Sequence, residues 1–111
     1  MIRRFVRSVI ERATVTAGEA VSSLRLDPIL MNAMDIRAFE EVEITNVATG
    51  ARFTTWVEQG ASGEVRAPHV RTGDVIAIIS SGLLHDGQTL AHKARVVTVD
   101  QKNTVVSIQE R

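Results

Sequence analysis

Along most of the chain valine, isoleucine and threonine alternate with polar residues, the period-two pattern of strands that turn one face to a core and the other to water. The pattern predicts strands over residues 2–16, bent or broken midway, and over 41–47, 52–58, 74–80, 93–100 and 104–108. In the 41–47 strand Glu41, Glu43 and Thr45 face water, while Val42 and Ile44 face inward. Ala48-Thr49-Gly50 is short enough to close a hairpin between two of these strands, with Gly50 free to take positive φ, and Gln101-Lys102-Asn103 can close another. One segment breaks the alternation. Asp27 can cap a helix, Pro28 suits its first turn, and Leu30, Ala33 and Met34 share a face at helical spacing. Gly60, Gly63, Pro68 and Gly73 mark one loop region, and Gly82 and Gly87 a second. The prediction is a mainly β protein with one or two short helices.

Composition narrows what such a protein does. A chain of 111 residues, 44% hydrophobic, is read as one domain over 1–111, with apolar surface left over for association between copies. Thirteen basic residues balance thirteen acidic ones and are dispersed, so the footprint that phosphate-backbone binding requires is missing and nucleic acid is not an expected partner. Arginines and glutamate interrupt the first twelve residues too often for a signal peptide or a membrane span, so the expected location is the cytoplasm, with no membrane partner. With no cysteine there is no disulfide or thiolate metal site, and His69, His85 and His92 are too far apart for a local metal motif, so no metal is expected. Met31 and Met34 are read as core filling.

Three stretches resemble the aspartate 1-decarboxylase family in order and spacing: Met1-Ile2-Arg3, Arg12-Ala13-Thr14-Val15-Thr16, and the run from Asn46 through Gly50, Arg52 and Phe53 to Trp56. Ser22-Ser23-Leu24-Arg25-Leu26-Asp27, Ser62-Gly63 and the segment from Gly73 to Ile79 extend the likeness. The resemblance implies a small six-stranded double-psi β-barrel assembled as a homotetramer, with active sites between neighbouring subunits. It also implies a pyruvoyl cofactor made by autocatalytic cleavage before a serine. The serine hydroxyl attacks the preceding carbonyl, the resulting ester eliminates, and hydrolysis leaves a ketone that accepts the substrate's amine and draws electrons from the breaking C–C bond.

Residue by residue, the resemblance assigns Ser23 as the pyruvoyl source and Ser22-Ser23 as the processing site, with Ser22 where the family has glycine. Arg52 matches the arginine that grips a substrate carboxylate, a task that suits the parallel donors of a guanidinium. Thr55 matches a threonine associated with chain processing; strict alternation puts it on the face opposite Arg52, Thr54 and Trp56, which calls for a bulge or a site between subunits. Other positions depart from the family. Trp56 stands where a tyrosine supplies a proton, Val9 where a lysine engages the substrate, and Glu11 where a histidine is usual. The loop whose amides help to bind substrate is shortened to Val65-Arg66-Ala67-Pro68-His69, and Pro68 lacks an amide donor. Val9 and Trp56 make the pocket more apolar, while Arg52, with Arg66 as a second candidate, keeps an anchor for a carboxylate or an enolate.

Three functions follow. The first is a lyase that decarboxylates an amino acid, aspartate to β-alanine by resemblance, with Ser23, Thr55 and Arg52 in the roles above. The second is an unprocessed, cofactor-free homologue that binds, cyclises or isomerises a less polar biosynthetic intermediate. The third is a non-catalytic pseudoenzyme that pairs with a true decarboxylase. Each takes a different state of the Ser22–Ser23 bond or of the assembly as its signature.

Overall fold

The computed structural model describes residues 1–17 and 21–111. In chain order its elements are β1 (Ile2–Thr14), β2 (Leu24–Leu26), α1 (Pro28–Met34), β3 (Glu41–Asn46), β4 (Arg52–Gln59), β5 (Val65–Arg66), β6 (Val75–His85), α2 (Asp86–Thr89), β7 (Arg95–Val99) and β8 (Val105–Glu110). The strands form a curled eight-stranded sheet in the order β5-β2-β4-β3-β6-β1-β7-β8. Neighbours are antiparallel except for β1 with β7 and β2 with β4, which are parallel. This mainly β architecture with two short helices fits the expected small double-psi β-barrel.

Six of the eight strands coincide with those predicted from alternation. β2 and β5, three and two residues long, join these six in the sheet. Runs so short carry no readable period, and they exist because neighbouring strands supply hydrogen-bond partners. The segment 65–69, expected as loop throughout, thus begins with strand β5, and Val65 and Ala67 are fully buried. β6 also runs on to His85, beyond the predicted end, because Ser81 and Gly82 pair with Val6 and Phe5 of β1. A Cβ on Gly82 would lie 2.7 Å from Cδ of Arg7, so a larger residue there would displace the Arg7 side chain.

β1 is bent midway, with register shifts between Val6 and Ser8 and between Ile10 and Ala13. Gly50, at φ 76°, closes the β3–β4 hairpin and donates its N–H to the Asn46 carbonyl at 2.8 Å. Asn103, at φ 62°, closes the β7–β8 turn, and its side chain is buried against β1, accepting from Thr14 N and donating to Thr14 O, each at 2.8 Å. One continuous core joins Ile10, Leu24, Leu26, Ile44, Val57, Ile76 and Ile78 of the sheet with Leu30, Met31 and Met34 of the helix, so both helix methionines fill core as expected.

α1 forms for the reasons its sequence offers. Asp27 Oδ1 accepts from Ile29 N at 2.7 Å, Pro28 occupies the first turn, and Asp35 ends the helix in the left-handed region. The other Asp27 oxygen accepts from Gly63 N at 2.7 Å, which ties the helix start to the loop before β5. The segment running into this fixed cap is the one that carries Ser22 and Ser23. Among the described residues no helix is long and apolar enough to cross a membrane.

Candidate functional site

The parallel pairing of β2 with β4 sets Leu24 beside Val57 and Arg25 beside Glu58. Continued backwards, the same direction of travel brings Ser23 and Ser22 alongside the middle of β4. Three residues of β4 meet them there. The Thr55 hydroxyl donates to the Ser22 carbonyl oxygen at 2.9 Å. Ser23 Oγ donates to Glu58 Oε2 at 2.5 Å, and Trp56 Nε1 donates to the same carboxylate oxygen at 3.3 Å. The Ser22–Ser23 peptide bond is therefore flanked by a donor on its carbonyl oxygen and an acceptor on the hydroxyl that follows it.

Burial supports this arrangement. Ser23 is 2% exposed and Thr55 8%, so neither hydroxyl is bathed in solvent, and a buried hydroxyl without a partner would carry a desolvation cost. Each has one. Glu58 is only half-buried, and Trp56 is 40% exposed, so the indole covers one side of the site while remaining open to a ligand or to another copy of the chain.

Alternation along β4 holds as predicted: Thr55 and Val57 face the core, while Arg52, Thr54 and Trp56 face outward. The bulge considered for reconciling them is not there, since pairing runs without a shift from Thr45 with Arg52 to Glu41 with Trp56. Thr55 and Trp56, though not Arg52, are brought together at the Ser22–Ser23 segment instead. Thr55 reaches its backbone from the core side, and the outward Glu58, to which Trp56 also donates, accepts from the Ser23 hydroxyl.

Other residues singled out in the sequence stand apart from this cluster within one chain. Arg52 begins β4, four positions from Trp56 and about 13 Å along the strand at the usual rise. Its side chain is 71% exposed and has Glu43 Oε1 at 4.0 Å as its charge partner. Val9 lies on β1, with β6 and β3 between it and β4 in the sheet. Arg66 on β5 faces Glu64 at 3.5 Å. The cleft of about 410 Å³ lined by Phe5, Arg7, Asp35 and His92 contains none of Ser23, Thr55 and Arg52.

Glu58 is the member of the cluster for which sequence reading named no role. Its signal was nevertheless present: two residues after Trp56 in an alternating strand, it shares the outward face with the indole. What the sequence could not supply was the parallel register of β2, which brings Ser23 to it.

The geometry accords with the kinship seen across the chain. The family model described as aspartate decarboxylase matches residues 1–106. Among curated proteins, the aspartate 1-decarboxylase of Shouchella clausii is 33% identical over 97% of this chain and 92% of its own length. That of Listeria monocytogenes shows the same identity and coverage. That of Pelotomaculum thermopropionicum is 34% identical over 99% of this chain and 90% of its own. The chain belongs to the aspartate decarboxylase family.

Proposed function

We propose that this protein is a pyruvoyl-dependent amino-acid α-decarboxylase that cleaves its own chain between Ser22 and Ser23 and acts on aspartate to give β-alanine. The observation that carries the reading is the state of that peptide bond: Thr55 donates to the Ser22 carbonyl oxygen at 2.9 Å, and the Ser23 hydroxyl is buried beside it. The residues present fit a pyruvoyl precursor. Attack by Ser23 Oγ on the Ser22 carbonyl carbon closes a five-membered ring and places negative charge on the oxygen that Thr55 already contacts. Breaking the C–N bond leaves an ester. Elimination across Cα–Cβ of Ser23 then releases the Ser22 carboxylate, and hydrolysis completes the ketone. Ser22 does not adopt positive φ, so its Cβ meets no backbone penalty of the kind that would demand glycine at that position.

A pyruvoyl group, once formed, supplies an electron sink for the breaking C–C bond. The chain's own residues do the rest. Arg52, largely exposed, offers paired donors to a carboxylate from the outer face of β4. Trp56 supplies an aromatic wall, and its indole is no substitute for an acidic phenol, which predicts a slow enzyme. Arg52 and Val9 stand apart, within a chain, from the cluster of Ser23, Glu58 and Trp56, and this supports a homotetramer whose sites are completed by neighbours. Phe39, Leu83, Val106 and Ile108 are exposed, as suits a chain with apolar surface to cover. A cytoplasmic location suits this substrate class.

The decisive experiment is intact mass of the purified protein after prolonged warming, beside a Ser23→Ala control. Two fragments that meet at Ser22–Ser23, absent from the control, support the reading. A persistently intact chain overturns it and favours the cofactor-free homologue or the pseudoenzyme, for which the exposed Trp56 beside a buried polar cluster would line a pocket for a less polar metabolite.

A further inference from the structure

Glu58 is the one ionisable side chain bonded to the hydroxyl that must lose its proton for cleavage, among the described residues. Its Oε2 accepts from Ser23 Oγ at 2.5 Å and from Trp56 Nε1 at 3.3 Å, so two donors converge on one oxygen, the arrangement of an acceptor-only carboxylate. Serine is a weak nucleophile until an adjacent base takes its proton. A candidate base must lie within hydrogen-bond reach of that proton, a condition that this pair meets.

We propose that Glu58 is the general base of chain cleavage and that Trp56 is the residue that holds it in place. This role rests on the cleavage reading above. As Ser23 Oγ bonds to the Ser22 carbonyl carbon, its proton passes to Glu58 Oε2, and Thr55 meets the charge that develops on the carbonyl oxygen. When the C–N bond breaks, Glu58 returns the proton to the leaving nitrogen of Ser23. No proton is gained or lost in the shift from amide to ester, and the carboxylate ends as it began. Trp56 thereby acquires a task that differs from acid catalysis: its N–H fixes the rotamer of a side chain that would otherwise swing into solvent from the outer face of β4. The pairing of Arg25 with Glu58 holds the backbone beneath that side chain.

The test follows chain cleavage in the full-length protein by intact mass, for wild type, Glu58→Gln and Glu58→Ala, with near-ultraviolet circular dichroism and thermal melting to establish that each variant folds. Glu58→Gln keeps the shape and an acceptor oxygen but not the base, and its cleavage is expected to slow by about 10²- to 10⁴-fold. Formate added to Glu58→Ala is expected to restore cleavage in a concentration-dependent way, a rescue that a merely structural role would not show and that stands even if Glu58→Gln misfolds. Hydroxylamine, which opens esters, locates the step: no hydroxylamine-sensitive ester is expected in Glu58→Gln. Cleavage of folded Glu58→Gln at the wild-type rate, or an accumulated ester in it, overturns the assignment while leaving self-cleavage intact. An uncleaved wild type removes the cleavage reading itself, and with it this role.

Discussion

Replacing Thr55 by valine keeps the branched shape of the side chain and deletes the hydroxyl that donates to the Ser22 carbonyl oxygen at 2.9 Å. In the resting protein a neutral hydrogen bond of this kind contributes about 0.5–1.5 kcal/mol net. Thr55 is buried next to Val57 on a well-packed strand, and the added methyl replaces an oxygen of similar size, so the fold survives the change. At about 4–8 °C per kcal/mol for a domain near this size, the melting temperature falls by only several degrees. Cleavage responds differently. The carbonyl oxygen becomes negatively charged as Ser23 attacks, and losing one donor to such an oxyanion costs about 10²- to 10³-fold in rate, or about 2.7–4 kcal/mol. Thr55→Val is therefore expected to be folded, to assemble, and to remain almost uncleaved over a time course that converts the wild type. Thr55→Ser, which keeps the donor, should cleave at a rate much closer to wild type. Intact mass against time gives the rates, and melting curves give the stability. Thr55→Val cleaving as fast as wild type would refute the reasoning, because the bond would then be a packing contact with no part in the attack.

Trp56→Tyr supplies a phenol where the indole stands, and turnover of aspartate by the cleaved protein is expected to rise by roughly 10²-fold or more; unchanged turnover would mean that the proton comes from elsewhere. Arg52→Ala should leave cleavage and melting unaltered, because the side chain is largely exposed and its ion pair with Glu43 is long. It should nevertheless lower kcat/KM for aspartate about tenfold, equivalent to about 1.4 kcal/mol, at the low end for a charge-assisted contact. Asp27→Ala deletes acceptors for both Ile29 N and Gly63 N, and urea unfolding is expected to show a loss of about 2–3 kcal/mol.

The strand-rich fold and the capped helix were legible in the sequence because each is encoded locally. Val42 and Ile44 alternate with Glu41 and Glu43, and Asp27-Pro28 announces a helix start that the structure caps with Asp27. The short strands β2 and β5 were not legible, because three and two residues hold no period and their pairing is dictated by partners distant in sequence. The same limit governed the site. Ser23 and Thr55 were picked out by resemblance, and Thr55 reaches the Ser22 carbonyl. Glu58 escaped notice because a glutamate on the outer face of a strand is ordinary until a parallel neighbour brings a serine hydroxyl to it. Trp56 was read as a lost acid and an apolar wall, yet its N–H contact with Glu58 gives it a polar partner that no local pattern could announce.

The most direct test of the central claim is whether the purified, warmed protein consists of one chain or two. The account predicts two, with the larger fragment starting at a blocked residue 23 that reacts with a carbonyl reagent such as phenylhydrazine, and neither fragment in Ser23→Ala. A single folded and assembled chain of full mass, unreactive towards the reagent after prolonged incubation, would contradict it.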